Sequence, residues 1–183
     1  MRYFELVDDV HVPGRWHLND APLPSGESID LLRGERHPAV TELRLEITHP
    51  GRALPFCRTN FGLPVATRKL AATIESLVGT DLQRIPFLIP GHPGYEALNA
   101  TRLVDCLDES RSEFSTWTSA DGLADLVGQY AIVPKLSVDA SKLSTRDRLF
   151  RVQRWPVALI VCETVKEAME QAGCLGAKFL NVT

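Results

Sequence analysis

The sequence predicts an α+β fold: a largely antiparallel, twisted sheet with two main helices packed on it and a loop-rich N-terminal third. Three observations lead there. Several short segments have strand character and are joined by loops rather than helices. Two segments, 65–78 and 163–172, carry apolar residues at helical spacing. The regular strand–helix–strand alternation that a doubly wound parallel sheet requires is missing.

The elements follow in order. Residues 2–7 form a strand, with Tyr3, Glu5 and Val7 on one face and Phe4 and Leu6 on the other. Prolines and glycines are then frequent from Pro13 to Pro55, and only 43–47 alternates cleanly. Leu43, Leu45 and Ile47 point one way and Arg44 and Glu46 the other, the pattern of a half-buried strand. Leu70, Ile74, Leu77 and Val78 line one face of a helix over 65–78, and Gly79 is placed to cap it. Residues 82–89 read as a strand in which Pro86 demands an edge position or a bulge. Pro90 to Gly94 is a turn, and 95–99 returns as a strand. Residues 105–128 are polar and mix short helices with loop, and 130–138 is a strand broken by Pro134. Strands at 149–152 and 157–161 flank Trp155-Pro156. A helix over 163–172 buries Val165, Ala168, Met169 and Ala172 and ends at Gly173, and 177–182 is the last strand.

At 183 residues and 44% hydrophobic content the chain can bury one sizeable core, so a single domain over 1–183 is expected, loop-rich over 1–55. A net charge of −3 argues against general nucleic-acid binding. The longest apolar run, 157–162, is too short to cross a bilayer, and the N-terminus does not read as a signal peptide. No membrane association and a cytoplasmic location are the expectations. Cys57, Cys106, Cys162 and Cys174 are widely spaced without a C-x-x-C pair, and read as buried or partly buried free thiols.

No nucleophile elbow, Walker loop, dinucleotide fingerprint or H-E-x-x-H motif is present, so no catalytic residue, cofactor or metal is assigned and no enzyme is expected. His11 and His17 flank a Pro-Gly turn without a third ligand in view; His37 and His49 each precede a proline, and His92 sits in a turn. Arg58 beside Cys57 would lower the thiol's pKa and activate it, but no histidine partner is identifiable, and a small buried residue near a strand is the favoured reading.

Two charge patterns remain. Between Thr101 and Asp125 the acids Asp105, Asp108, Glu109, Glu113, Asp121 and Asp125 face only Arg102 and Arg111. Such a segment, with Trp117 as a potential anchor, suits a basic partner; solvated loops with local caps are the alternative. From Lys142 to Arg154, Lys142, Arg146, Arg148, Arg151 and Arg154 surround Asp147, a pattern that could grip phosphates or an acidic partner but reads better as the solvated face of a sheet.

Three pieces carry a family resemblance. The first is Phe61-Gly62-Leu63-Pro64-Val65 leading into the helix at Leu70. The second runs from Tyr95 through Asn99, Asp105 and Asp108 to Arg111-Ser112-Glu113. The third is Leu149-Phe150-Arg151-Val152, then Val161, Ala172-Gly173 and Gly176-Ala177-Lys178-Phe179. In that order they resemble the eleventh-numbered family of immunity proteins, found beside bacterial polymorphic toxins and type VI secretion effectors, and the resemblance covers 55–182.

The resemblance implies binding and inhibition of a cognate toxin in interbacterial competition, and occlusion of the toxin's active site is the expected mechanism. It supplies no catalytic residues, and gives Asn99, Asp105, Asp108 and Glu113 a structural role in closing turns. The toxin-binding candidates are Asp105, Asp108, Glu109, Glu113, Trp117, Asp121 and Asp125. A nuclease is the favoured toxin, and exposed edge strands allow a homodimer. Two alternatives stay open: a structural or adaptor protein of a secretion system, and an enzyme that reverses a toxin's modification. A deep pocket lined by His17, Cys57 or His92 would favour the enzyme.

Overall fold

A computed structural model of the chain describes residues 1–20, 31–37 and 43–183. The parts of the loop-rich stretch at 21–30 and 38–42 lie outside the described residues. In chain order the strands are β1 (Tyr3–Asp8), β2 (His17–Asp20), β3 (Leu43–His49), β4 (Phe56–Arg58), β5 (Pro64–Thr67), β6 (Leu82–Leu88), β7 (Tyr95–Ala100), β8 (Leu103–Val104), β9 (Glu113–Thr116), β10 (Tyr130–Lys135), β11 (Leu149–Val152), β12 (Trp155–Cys162) and β13 (Ala177–Asn181). Helix α1 spans Arg68–Val78 and helix α2 spans Glu163–Gln171.

The class is α+β, as the sequence predicts, and the strands divide among three sheets. One is five-stranded in the order β13-β1-β12-β11-β8, one six-stranded in the order β2-β3-β6-β7-β5-β4, and β9 with β10 forms a separate ribbon. Pairing is antiparallel except between β3 and β6 and between β8 and β11. The two helices pack on one another.

Within the six-stranded sheet β7 is buried along its whole length, because its two faces enter different cores. Leu98 and Ala100 join the larger core with Phe56, Ala66, Leu70, Ile74, β1, β11, β12 and α2. Tyr95 and Ala97 join a second core around Trp16, Leu18, Leu31, Leu45, Ile85 and Phe87. Strand β7 also carries two polar residues, each with a partner, as burial requires. Glu96 accepts from Arg84 Nε at 2.6 Å and Arg68 Nε at 3.3 Å. Asn99 donates to Gln83 Oε1 at 3.0 Å and to the Glu35 carbonyl at 2.8 Å.

Four expectations are corrected. Helix α1 begins at Arg68 rather than 65, because Val65 and Ala66 are strand residues whose side chains enter opposite cores. Its N-cap is Thr67, whose hydroxyl accepts from the Leu70 amide at 3.4 Å, and Gly79 closes the other end at φ 59°. Pro86 is not on an edge strand: β6 lies between β3 and β7. Among the described residues β3 pairs with β6 at Phe87 and Leu88, just after the proline. Residues 113–116, inside the polar stretch, form β9, whose partner β10 supplies the pairing that its own residues do not advertise. Trp155 and Pro156 do not separate two strands but open β12, where a register irregularity at Val152 absorbs them.

The two main sheets are tied at the start of β13. Phe56 N donates to Leu175 O at 3.1 Å, and Asp9 N donates to Gly176 O at 2.8 Å. Beside this tie Arg58 donates to the Leu6 carbonyl at 2.6 Å, and Asp8 pairs with Arg15 at 2.8 Å.

The basic run at 142–154 does not form one solvated face. Arg151 is fully buried and donates to Pro156 O at 2.7 Å, whereas Lys142 and Arg146 are exposed. Asp147, also buried, accepts from Arg102 Nε at 2.6 Å and from the Ser144 amide and hydroxyl, each at 2.7 Å. Burial alone would raise its pKa; the Ser144 bonds and Arg102 outweigh this and hold it below its ordinary value. A carboxylate whose folded pKa is depressed adds stability above the ordinary carboxylate range of about 4, and loses it as the pH falls through the folded value. Asp147→Asn is therefore expected to cost about 2 kcal/mol in urea unfolding at pH 7 and less at pH 3. A cost that does not change with pH would contradict that role.

Candidate functional site

The acidic segment occupies the link from β8 into the β9–β10 ribbon and its tip. The acids do not converge on one point. Three serve the fold. Asp108 Oδ1 accepts from the Ser110 hydroxyl at 2.6 Å and amide at 3.0 Å, while Oδ2 takes Arg111 Nε at 2.7 Å. Those bonds, Ser110 first and then Arg111, hold its pKa down at about 2. Asp121 accepts from the Thr118 amide and hydroxyl, both at 2.7 Å, closing the short turn at the ribbon's tip, and its pKa is lowered for that reason.

Glu109 is the third. Its Oε1 accepts from the Tyr130 hydroxyl at 2.8 Å and from Arg154 Nη2 at 3.1 Å. The Tyr130 bond, then Arg154, lowers its pKa. Burial, then Glu109, pushes the Tyr130 phenol up to about 12. The Arg154 guanidinium lies over the Tyr130 ring, 4.2 Å from its centroid, a cation–π contact. Arg154 is also the one non-glycine among the described residues with positive φ, at 68°. A turn residue held in that conformation thus locks the β11–β12 hairpin to the ribbon.

The other three acids, Asp105, Glu113 and Asp125, are exposed and form no ion pair among the described residues. Glu113 stands across from Lys135 in the ladder. Trp117 is half-buried at the end of β9, where its amide donates to Gln129 O at 2.9 Å and its carbonyl accepts from Gly128 N at 3.0 Å. At the ribbon's base Ser110, Arg111, Ser112, Glu113, Lys135 and Ser137 line an open cleft. Ser112 and Ser137 bond one another there, and Arg111 also donates to Val138 O at 3.0 Å.

Sequence reasoning missed the apolar part of this surface. Leu123, Leu126, Val127 and Ile132 are all substantially exposed. The spacing of Leu123, Leu126 and Val127 is that of a buried helical face, which is why it carries no surface signal. Gly122 and Gly128, at φ 73° and 83°, bracket these residues, and between them the chain makes a single 3-10 turn at Ala124–Leu126.

The other singled-out residues lie elsewhere. His17 faces His49 across β2 and β3, their rings 5.5 Å apart, and both are exposed; His11 is exposed on its turn. His92 packs edge-on against Trp16 at 5.0 Å. Among the described residues no three His, Cys, Asp or Glu side chains form a metal-holding group. All four cysteines are free, with Cys57, Cys106 and Cys162 buried. Burial, with help from Asp8, pushes the Cys57 thiol up to about 12, so Arg58 does not activate it. No helix among the described residues is long and apolar enough to cross a membrane.

Fold and surface together define an α+β protein whose ribbon presents an exposed acidic and apolar tip. Residues 92–183, just over half of the chain, match the model of the Immunity protein family (Imm11), and the chain belongs to that family. The matched stretch includes β7, the whole acidic segment, the ribbon and α2. It starts after Phe61–Val65, the first of the three pieces that carry the resemblance. No curated protein matches the chain.

Proposed function

We propose that this chain is an immunity protein that binds a cognate bacterial toxin and neutralises it by covering the toxin's active site. Family membership is the observation that carries the reading. The exposed end of the acidic segment supplies a surface suited to it. A nuclease is the favoured toxin, because its phosphate-binding cleft is basic and complements exposed carboxylates. Asp105, Glu113 and Asp125 act as steering charges, Asp108, Glu109 and Asp121 shape the turns that present them, and Trp117 is a candidate anchor. The setting is a polymorphic toxin system of the type VI kind, with a single-domain inhibitor acting in the cytoplasm.

Reversing Asp105, Glu113 and Asp125 to lysine is expected to slow association with the toxin encoded beside the gene by about tenfold at low ionic strength. The difference should shrink as salt is raised, because exposed charges are screened. Stopped-flow association rates check this. Unchanged rates, independent of salt, would remove these acids from the interface.

A further inference from the structure

The ribbon's tip has the composition of an insertion element. Every residue from 118 to 128 is exposed, yet the stretch contains Leu123, Leu126 and Val127 at 46%, 39% and 49% exposure. A fourth apolar side chain, Ile132, is 60% exposed on β10 of the same ribbon. Single exposed leucines are ordinary on a surface; three within five positions, on a segment outside the core, are not. The tip is also built rather than loose. Leu126 N donates to Leu123 O at 2.9 Å and Gln129 N donates to Leu126 O at 2.8 Å, while Trp117 closes the ribbon below and Asp121 caps the first turn. An apolar element ordered before binding loses little entropy when it docks.

Its charge selects the occupant. From Glu113 to Pro134 there are three acids, Glu113, Asp121 and Asp125, and no lysine or arginine. An anionic membrane surface would repel that tip. A second copy docked by two-fold symmetry would set the same acids against each other. Building on the immunity reading, we propose that the tip inserts Leu123, Leu126 and Val127 into an apolar pocket with a basic rim on the cognate toxin. The apolar contact then sets how long the complex lasts, while the acids set how fast it forms.

The test uses the full chain and the purified toxin encoded beside its gene. Wild type and a Leu123→Ser, Leu126→Ser, Val127→Ser variant are compared by surface plasmon resonance. The variant is expected to keep its thermal melt, since none of the three residues is in the core. Its dissociation rate should rise by roughly 100-fold, with association changed far less. Wild-type binding that the variant matches within about threefold overturns the inserted tip and leaves the immunity reading standing. No binding by wild type overturns both. Sedimentation showing a wild-type dimer that the variant dissolves overturns the proposal in favour of a second copy.

Discussion

Gly176→Ala is expected to destabilise the fold by about 4 kcal/mol, among the largest effects a single methyl can have. Gly176 has φ 93°, a region that L side chains rarely adopt. A Cβ there would lie 2.0 Å from the Phe56 carbonyl oxygen and 3.0 Å from Leu54 Cδ1. The oxygen is backbone of β4, which is held in its ladder with β5, so it cannot swing away as a side chain would. Any shift also breaks the bonds through which Leu175 and Gly176 join the two main sheets. The control is Gly62→Ala, where φ is 83° but nothing stands within 4 Å of the added carbon. That change carries the conformational cost alone, about 1 kcal/mol. Urea unfolding of the two variants separates the causes; equal losses would mean that the close approach at Gly176 is unimportant.

The second large effect is expected at Arg84. Its guanidinium joins Glu96, buried in β7, at 2.6 Å and Glu75 of α1 at 2.7 Å. Arg68, at the start of α1, reaches the other Glu96 oxygen from a mostly exposed position. Arg84→Ala leaves a buried carboxylate with that one longer, mostly exposed partner, a change that costs about 3 kcal/mol or more. The pair need not stabilise the fold relative to apolar residues of similar shape, because desolvating two charges offsets most of their attraction. Arg84→Met combined with Glu96→Leu is therefore expected to recover most of the loss. A double-mutant cycle by chemical denaturation measures the coupling. Additive losses would show that the two side chains stabilise the fold independently.

The elements legible in the sequence are those whose pattern is set by one buried face. Leu43, Leu45 and Ile47 alternate because β3 buries one side, and Val165 and Met169 mark the inner face of α2. Where both faces are buried the period disappears, and Val65-Ala66 in β5 reads as easily as helix. Strand β9 was hidden for the opposite reason: Glu113, Ser115 and Thr116 are exposed, so its existence depends on β10. Arg151 has the composition of a surface residue, and only the fold shows that it lies inside.

The candidate site was legible as charge and not as geometry. Composition located the acids but could not separate Asp108, Glu109 and Asp121, whose carboxylates bond to the fold, from Asp105, Glu113 and Asp125, which form no ion pair among the described residues. The apolar tip was missed because leucine and valine in a helical spacing are normally core residues.

The first measurement to make is co-expression of this chain with the toxin proposed as its partner, followed by a growth assay and pull-down of the toxin on the chain. The account predicts restored growth together with a stable one-to-one complex. Restored growth with no complex would contradict it, and would point instead to chemistry on the toxin's target or product.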